Sequence, residues 1–135
     1  MNDLTWKYVK ELENKNAVEL FEDENDIKIP TDIVECIKIN NGGRPNRKGF
    51  DTECSKGRVV KSLLSFNPED LETIYTIFDV LKKEKSELIP IFSDPSGNYI
   101  CYDTLNKEMV LWLHETNTTE KISNSFSEFL SSLYE

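Results

Sequence analysis

Two stretches decide the fold: LIPIFSDPSGNYICYD at residues 88–103 and VLWLH at residues 110–114. Between the first two apolar runs, Asp94–Asn98 is rich in turn residues. Proline presets φ, glycine permits a positive φ, and aspartate and asparagine accept hydrogen bonds from nearby backbone groups. Asp103–Lys107 has the length of a hairpin loop. The pattern therefore predicts three consecutive strands joined by two tight turns.

The second and third predicted strands are apolar on both faces. Tyr99–Tyr102 and Met109–Leu113 lack the alternation of apolar and polar residues that a half-exposed strand shows. They are therefore predicted to lie in the middle of an antiparallel sheet, with helices packed against it.

The chain has the size and composition of one globular domain, which we predict to span residues 1–135. Its 135 residues are 38% hydrophobic and 30% charged, and a chain of this length buries roughly two-thirds of its unfolded surface. The N-terminus lacks the basic and apolar regions of a signal peptide, and no run approaches the ~18 apolar residues of a membrane span. These features predict a cytoplasmic protein that does not associate with membranes.

Cysteine and histidine are too few and too scattered for a metal site. Cys36, Cys54 and Cys101 have neither the spacing of zinc ligands nor the even number of a disulfide framework. Cys36 and Cys101 lie among apolar residues and are predicted to be core residues. Cys54 lies in a polar stretch and is predicted to be an exposed, reduced thiol. With His114 as the one histidine, the sequence predicts no metal and no cofactor.

The charge is strongly negative and unevenly distributed. The net charge is −9, and residues 44–61 contain six basic and two acidic residues, so this segment is +4 and the remainder −13. Nucleic acids and anionic membranes are bound by basic surfaces, so the charge argues against both as partners. It favours a basic partner, whose association such a field accelerates.

A first helix is predicted over residues 4–12. Leu4, Tyr8 and Leu12 recur every four residues, and Asp3 is a suitable N-cap. The acidic run at residues 22–26 has no apolar period. It is predicted to be either a loop or the fraying end of a short helix.

The second predicted helix has a start signal and a stop signal. Thr31 and Asp32 follow Pro30, and either could cap the helix. The sequence Asn-Asn-Gly-Gly at residues 40–43 ends it, because glycine adopts the left-handed conformation that satisfies the last carbonyls. A glycine pair can also cradle a phosphate, but neither of the two phosphate-binding glycine motifs is present.

Two further helices are predicted from their caps. Asn67 is a suitable N-cap with Pro68 at the first helical position. Ser125 and Glu128 form a capping box at the start of the last helix. The apolar stripe of the third helix is predicted to consist of Leu71, Ile74, Tyr75 and Phe78.

The remaining segments are predicted to connect these elements. Arg44–Gly57 is a long irregular connection, of the kind that is often functional or mobile. Arg58–Phe66 has the pattern of a strand, and Glu115–Lys121 that of a polar loop.

The residues show no catalytic set. His114 could be combined with a serine and with Asp94 or Asp103, but the sequence has no G-x-S-x-G elbow. His114 is therefore interpreted as a structural or surface residue, and Trp112 as a core residue rather than a base-stacking platform. The sequence favours a protein that is not an enzyme.

Taken in order, several motifs resemble the SUKH superfamily, over about residues 4–134. They are Ile29-Pro30-x-Asp32 with the helix ending in Asn-Asn-Gly-Gly, residues 88–94 with 97–103, the strand at 110–114, and FSEFL at 126–130. The chain departs from the family pattern at Asn25–Lys28, where a glycine often precedes the motif, and at Ile29, which replaces a leucine.

The resemblance implies an α+β, single-domain SUKH-like fold, with a mostly antiparallel central sheet flanked by about four helices. Bacterial members resembling this chain are immunity proteins that bind and neutralise a cognate polymorphic toxin, often a nuclease. Other members are intracellular scaffolds or regulators, and the family is not known for a catalytic activity. A toxin-neutralising protein with a basic protein toxin as partner is the leading interpretation, and a scaffold or regulatory interaction module is the alternative. An enzyme or small-ligand protein ranks third, and the oligomeric state stays open.

Charge and position together suggest which residues would contact such a partner. The acidic run and the acids at the turns of the sheet would attract a basic toxin, and the basic residues of the irregular connection would supply specificity. The candidate partner-binding residues are Glu22, Asp23, Glu24, Asp26, Asp94, Asp103, Arg44, Arg47 and Lys48.

Overall fold

A computed structural model of the protein, which describes residues 4–135, shows four helices and nine strands in that range. In chain order they are β1 (Trp6–Lys7), α1 (Ala17–Asn25), α2 (Thr31–Asn40), β2 (Arg44–Pro45), β3 (Gly49–Phe50), β4 (Arg58–Val59), β5 (Ser62–Leu63), α3 (Ile74–Glu84), β6 (Leu88–Ser93), β7 (Tyr99–Asp103), β8 (Glu108–Leu113), β9 (Thr118–Ser123) and α4 (Phe126–Ser132).

A five-stranded antiparallel sheet in the order β5-β6-β7-β8-β9 forms the centre of the α+β fold. Tyr99 faces Trp112 across the β7–β8 pair, and Asp103 faces Glu108 at its other end. The tight turn between β6 and β7 is closed by the N–H of Asp94, which donates to the carbonyl of Asn98. The three predicted strands, their turns and their central place in the sheet are therefore confirmed.

Both faces of the sheet are covered. On one face, Leu81 of α3 packs with Leu88, Cys101 and Trp112. The alternation of side chains along a strand places the neighbouring residues on the opposite face. That face belongs to a larger core, to which α1, α2 and α4 contribute the buried side chains Phe21, Ile33, Ile37 and Phe129.

The helix predicted over residues 4–12 does not form, and its predicted cap Asp3 lies outside the described residues. The side chain of Asn67 accepts a hydrogen bond from the N–H of Glu13 at 2.9 Å and donates one to the carbonyl of Glu11 at 2.9 Å. Backbone groups that a helix would pair internally are thus paired with a distant residue, and β1 pairs with β2 instead.

The acidic run at residues 22–26 forms the end of α1, so of the two predicted alternatives, a loop or the end of a short helix, the second is confirmed. The helix runs to Asn25, and Asp26 caps it in the left-handed conformation at φ 53°. In α2 the predicted side-chain caps are absent: Pro30 occupies the N-cap position, and Asp32 accepts only the N–H of Ile33. At the other end Gly42, at φ 71°, provides the predicted left-handed glycine.

Helix α3 begins at Ile74, six residues after the predicted first helical position, Pro68. Asn67 does not cap it, because its side chain pairs with the N-terminal segment. Residues 67–73 form a loop whose end is fixed by Ser65, which donates its N–H to Glu72 and accepts the N–H of Ile74. Leu71, predicted to be buried on the helix, is fully exposed on this loop.

Two further segments differ from their predicted structure. Glu115–Lys121 is predicted to be a polar loop, but residues 118–121 belong to the edge strand β9, which is polar because it is only partly covered. Residues 58–66, predicted as one strand, contain the two short strands β4 and β5, which belong to different sheets. The last helix follows its prediction: the hydroxyl of Ser125 accepts the N–H of Glu128 at 3.1 Å.

Candidate functional site

The acidic run places three of its four carboxylates at the surface. Asp23, Glu24 and Asp26 are exposed at the end of α1. The carboxylate of Glu22 instead accepts the N–H of Ile29 at 2.7 Å, which fastens the turn between α1 and α2. Glu22 therefore has a structural contact, and the other three are free to face a partner.

The two acids at the turns of the sheet are held inside those turns. Asp94 and Asp103 are each only 7% exposed. The carboxylate of Asp94 accepts the N–H groups of Ser96 and Asn98, both at 2.8 Å. Asp103 accepts the N–H of Leu105 at 2.9 Å in the same way. These contacts give both residues a role in shaping the turns.

The basic candidates occupy three different environments. The guanidinium of Arg44 lies 5.4 Å from the ring centroid of Tyr8, a cation–π contact at the surface. Nε and Nη2 of Arg47 are buried and have no hydrogen-bond partner among residues 4–135. Lys48 is exposed, and its carbonyl accepts the N–H of Val60.

One side of the loop at residues 67–73 borders a groove of about 430 Å³, here called the mixed-charge groove. Its charged lining residues are Lys10, Arg44, Lys61, Glu69, Asp70 and Glu72. Nζ of Lys61 lies 3.0 Å from Oε2 of Glu72, and the hydroxyl of Ser65 donates to Asp70 at 2.5 Å. Tyr8, 68% exposed, and the fully exposed Leu71 also line it.

Two adjoining depressions of about 270 and 220 Å³ lie between α1 and α3 and share Phe21, Glu24 and Tyr75. We call them together the acidic groove. Its charged lining residues are Glu13 at one end, Glu24 in the middle and Asp79 at the other end. The lining contains no lysine, arginine or histidine.

Packed aromatic rings form the floor of the acidic groove. The ring of Phe21 meets those of Phe66, Tyr75 and Phe78 edge to face, with centroids 5.5, 5.9 and 4.9 Å apart. The hydroxyl of Tyr75 donates to the carbonyl of Phe66 at 2.7 Å. Edge-to-face packing of this kind fixes the rings, so the floor is rigid.

The acids above this floor act on its tyrosine. Burial raises the pKa of Tyr75, and the negative charge of Glu24 raises this pKa further. Within residues 4–135 the carboxylates of Glu13 and Glu24 have no hydrogen-bond or ion-pair partner. Asp79 has one weak partner, Nζ of Lys82 at 3.7 Å, in a pair that is largely exposed.

The histidine and the cysteines have structural surroundings. The N–H of His114 donates to Oδ1 of Asn98 at 3.1 Å, and Nδ1 lies 2.9 Å from the same atom. Burial raises the pKa of Cys36 to about 11 and that of Cys101 still further, while Cys54 is exposed. In the part of the chain that the structure describes, no three His, Cys, Asp or Glu side chains are grouped so as to hold a metal ion.

Sequence reasoning found Glu24 but missed the groove around it. The sequence does not single out Glu13 or Asp79, and it predicts Tyr75 and Phe78 as part of a buried helical stripe. A signal was present, since Leu20 and Glu24, like Tyr75 and Asp79, are four residues apart and share a helix face. That signal does not show that the two faces border one groove.

These observations define an α+β fold with a five-stranded antiparallel sheet that is covered on both faces, two small two-stranded sheets, and surface grooves beside its helices. The family model described as SMI1-KNR4 cell-wall (SUKH_6) matches residues 15–130. The chain therefore belongs to the SMI1-KNR4, or SUKH, family, which confirms the resemblance. Within residues 4–135 no helix is both long enough and apolar enough to cross a bilayer.

A relative in the curated proteins matches a shorter region. Over 50 residues the chain is 44% identical to the SPbeta prophage-derived uncharacterized protein YokK of Bacillus subtilis (strain 168). The match covers 34% of this chain and 26% of that protein, so it spans about a quarter of the relative's length. No solved structure matches the chain.

Proposed function

We propose that this protein is an immunity protein, a non-catalytic cytoplasmic inhibitor that binds a cognate basic protein toxin, of which a nuclease is one kind. The observation that carries the proposal is membership of the SUKH family over residues 15–130. As a single domain of residues 1–135, it would act stoichiometrically, with no cofactor.

The charge distribution supports a basic partner. The net charge is −9, and Asp23, Glu24 and Asp26 lie exposed together at the end of α1. A field of this sign accelerates encounter with a basic protein, and the effect falls as salt screens it. An inhibitor that must capture a toxin before it acts gains most from a fast association.

The partner-binding surface is proposed to centre on these three acids. Arg44, with its exposed partner Tyr8, and Lys48 would add specificity, because arginine and tyrosine are frequent anchors of protein interfaces. Because Nε and Nη2 of Arg47 are buried, this residue is not expected to reach a partner through them. Asp94, Asp103 and Glu22 would contribute through the turns they hold rather than through direct contact.

The proposal is tested by co-expression with the product of the gene immediately upstream. Rescue of growth, together with a one-to-one complex in a pull-down, is the expected result. If that protein and other toxins encoded nearby give no rescue and form no complex, the result would favour the alternative, a scaffold or regulatory module. That alternative predicts co-purification with several cellular proteins.

The acids at the end of α1 can be tested once the toxin is in hand. The double variant Asp23→Lys, Asp26→Lys should associate more slowly, with a flatter dependence on salt. The matched control is the double variant Glu115→Lys, Glu135→Lys, which reverses two exposed charges outside α1. If the double variant associates at the wild-type rate, these two acids merely face solvent.

A further inference from the structure

The acidic groove combines an apolar floor with an unbalanced negative rim. Phe21 and Phe78 are 2% and 6% exposed and form the floor. Leu20, 49% exposed, adds an apolar wall on α1. Every residue of the lining that is charged at neutral pH is acidic. The combination suits a group that is apolar along its stem and positive at its tip.

The protein's own Lys82 illustrates this chemistry at one end of the groove. Its ammonium lies 5.6 Å from the ring centroid of Phe78 and 3.7 Å from Oδ1 of Asp79. An aromatic face beside a carboxylate thus attracts a lysine here. Tyr75 and Glu24, in the middle of the groove, offer the same pair of groups, and within residues 4–135 they make no cation–π contact and no ion pair.

We infer that the acidic groove binds an arginine or lysine side chain of the partner protein, with the stem over Tyr75 and Leu20 and the charge between Glu24 and Asp79. This inference rests on the proposed function, because it names how a basic toxin is held. The occupant follows from charge complementarity. A guanidinium suits the site best, because it is planar and only weakly hydrated, and therefore stacks on aromatic rings.

The mixed-charge groove is the weaker candidate for this role. Its volume of about 430 Å³ is similar to that of the acidic groove, whose two depressions measure about 270 and 220 Å³, but Lys61 already pairs with Glu72, and Arg44 already covers Tyr8. A cation from outside would have to displace these groups. It would also approach three resident cations, whereas the acidic groove has none in its lining.

The inference can be tested on the protein alone with n-butylguanidinium, which reproduces the end of an arginine side chain. In a titration followed by amide and aromatic NMR at low salt, we expect shifts that cluster at Glu24, Tyr75 and Asp79. A dissociation constant of about 1 mM or weaker is expected for so small a ligand. n-Butanol, with the same stem and no charge, should bind more weakly.

Two variants locate the binding. In Glu24→Gln, Asp79→Asn the shifts should largely disappear, whereas Glu69→Gln, which neutralises a carboxylate of the mixed-charge groove, should leave them unchanged. Shifts that lie elsewhere, or that persist in the double variant, would overturn the inference. Amide spectra without ligand check that each variant keeps the fold.

Replacing Lys82 gives a test in which the ligand should bind more tightly and not more weakly. Lys82→Met removes the cation that competes for Asp79, so n-butylguanidinium should bind about two-fold more tightly or better. Lys83→Met removes the same charge from the next position of α3 and is the matched control. Equal gains in the two variants would show only a general charge effect and would contradict a resident competitor in the groove.

The toxin complex separates this inference from the proposed function. If the wild type rescues growth and the Glu24→Gln, Asp79→Asn variant binds the toxin equally well, the immunity proposal stands and the groove assignment fails. If no toxin binds but n-butylguanidinium still occupies the groove, the immunity proposal fails and the groove remains a site for a cationic side chain.

Discussion

In the mixed-charge groove, Lys61 and Glu72 lie 3.0 Å apart, and three cations face three carboxylates. In the acidic groove, Glu13, Glu24 and Asp79 lie around a floor of aromatic rings, the lining contains no cation, and Asp79 has one weak ion pair, 3.7 Å from Lys82. The loop at residues 67–73 contributes to both linings, with residues 69–72 in the mixed-charge groove and Asn67 and Pro68 in the acidic groove. Each groove contains three acids, but only the mixed-charge groove contains an equal number of cations in its lining.

The difference teaches that the number of acids on a surface does not show where a basic partner docks. An acid with an internal partner has already exchanged water for that partner and gains little from another cation. An acid without one retains its full attraction for an outside charge. The net charge of −9 describes the whole chain, but the pairing of individual carboxylates distinguishes the two grooves.

The largest expected effect concerns the floor of the acidic groove. Phe21→Ala should lower the free energy of unfolding by about 3–5 kcal/mol, because Phe21 is 2% exposed and packs against three rings. Leu71→Ala, on the fully exposed rim of the mixed-charge groove, should change it by about 0.5 kcal/mol or less. Urea unfolding of both variants checks this. Similar losses would mean that the floor is not a packed core.

The next effect compares the grooves as docking surfaces. Glu24→Lys should slow association with the toxin by about three- to ten-fold and flatten its salt dependence, because it reverses an unbalanced charge. Glu69→Lys makes the same change in net charge inside the mixed-charge groove and should have a smaller effect. Stopped-flow association at several salt concentrations checks both. If both variants slow association equally, only the net charge matters, and the two grooves do not differ as docking surfaces.

How far each region could be predicted from sequence follows from where its contacts lie. The turn at Asp94–Asn98 and the apolar strands beside it are specified by neighbouring residues, so their pattern was sufficient. The segment at residues 4–12 has a helical period, but its backbone is paired with Asn67 and with β2, far away in sequence. Asn67 was misread for the same reason, since a cap and a long-range partner use the same side chain.

The candidate site shows the same limit. Exposure of Asp23, Glu24 and Asp26 could be expected from an acidic run without apolar period. The burial of Asp94 and Asp103 could not, although turn acids are known to bond nearby backbone groups. The acidic groove depends on α1 lying beside α3, which brings together residues more than 50 positions apart, such as Phe21 and Phe78.

A smaller effect should follow from breaking the balance of the mixed-charge groove. Glu72 pairs with Lys61 and also accepts the hydroxyls of Ser62 at 3.2 Å and Ser93 at 3.4 Å. Glu72→Gln should therefore lower the free energy of unfolding by about 1 kcal/mol. Glu69→Gln, in the same groove, should have little effect, since the Glu69 carboxylate makes no hydrogen bond or ion pair within residues 4–135. Chemical denaturation of the two variants measures the difference.

The smallest expected effect is a change in the pKa of Tyr75, which reports the electrostatic potential of the acidic groove. The pKa of Tyr75 is raised first by burial and then by Glu24. Since the folded pKa exceeds the unfolded one, this tyrosine stabilises the fold below about pH 10, and the contribution is lost as the pH rises through its folded pKa. Glu24→Gln should lower the Tyr75 midpoint and leave that of Tyr99 unchanged, because burial, Glu72 and Asp94 raise the latter.

The titration is followed by NMR of the carbon that bears each tyrosine hydroxyl, so that the two residues are resolved. We expect the midpoint of Tyr75 to move in Glu24→Gln but not in Glu69→Gln, which would place a local negative charge at the groove floor. A partner's cation bound there would have the opposite effect and lower the pKa of Tyr75. If the Tyr75 midpoint is unchanged in Glu24→Gln, solvent screens this carboxylate. Its attraction for a cationic side chain would then be no greater than that of any other surface acid.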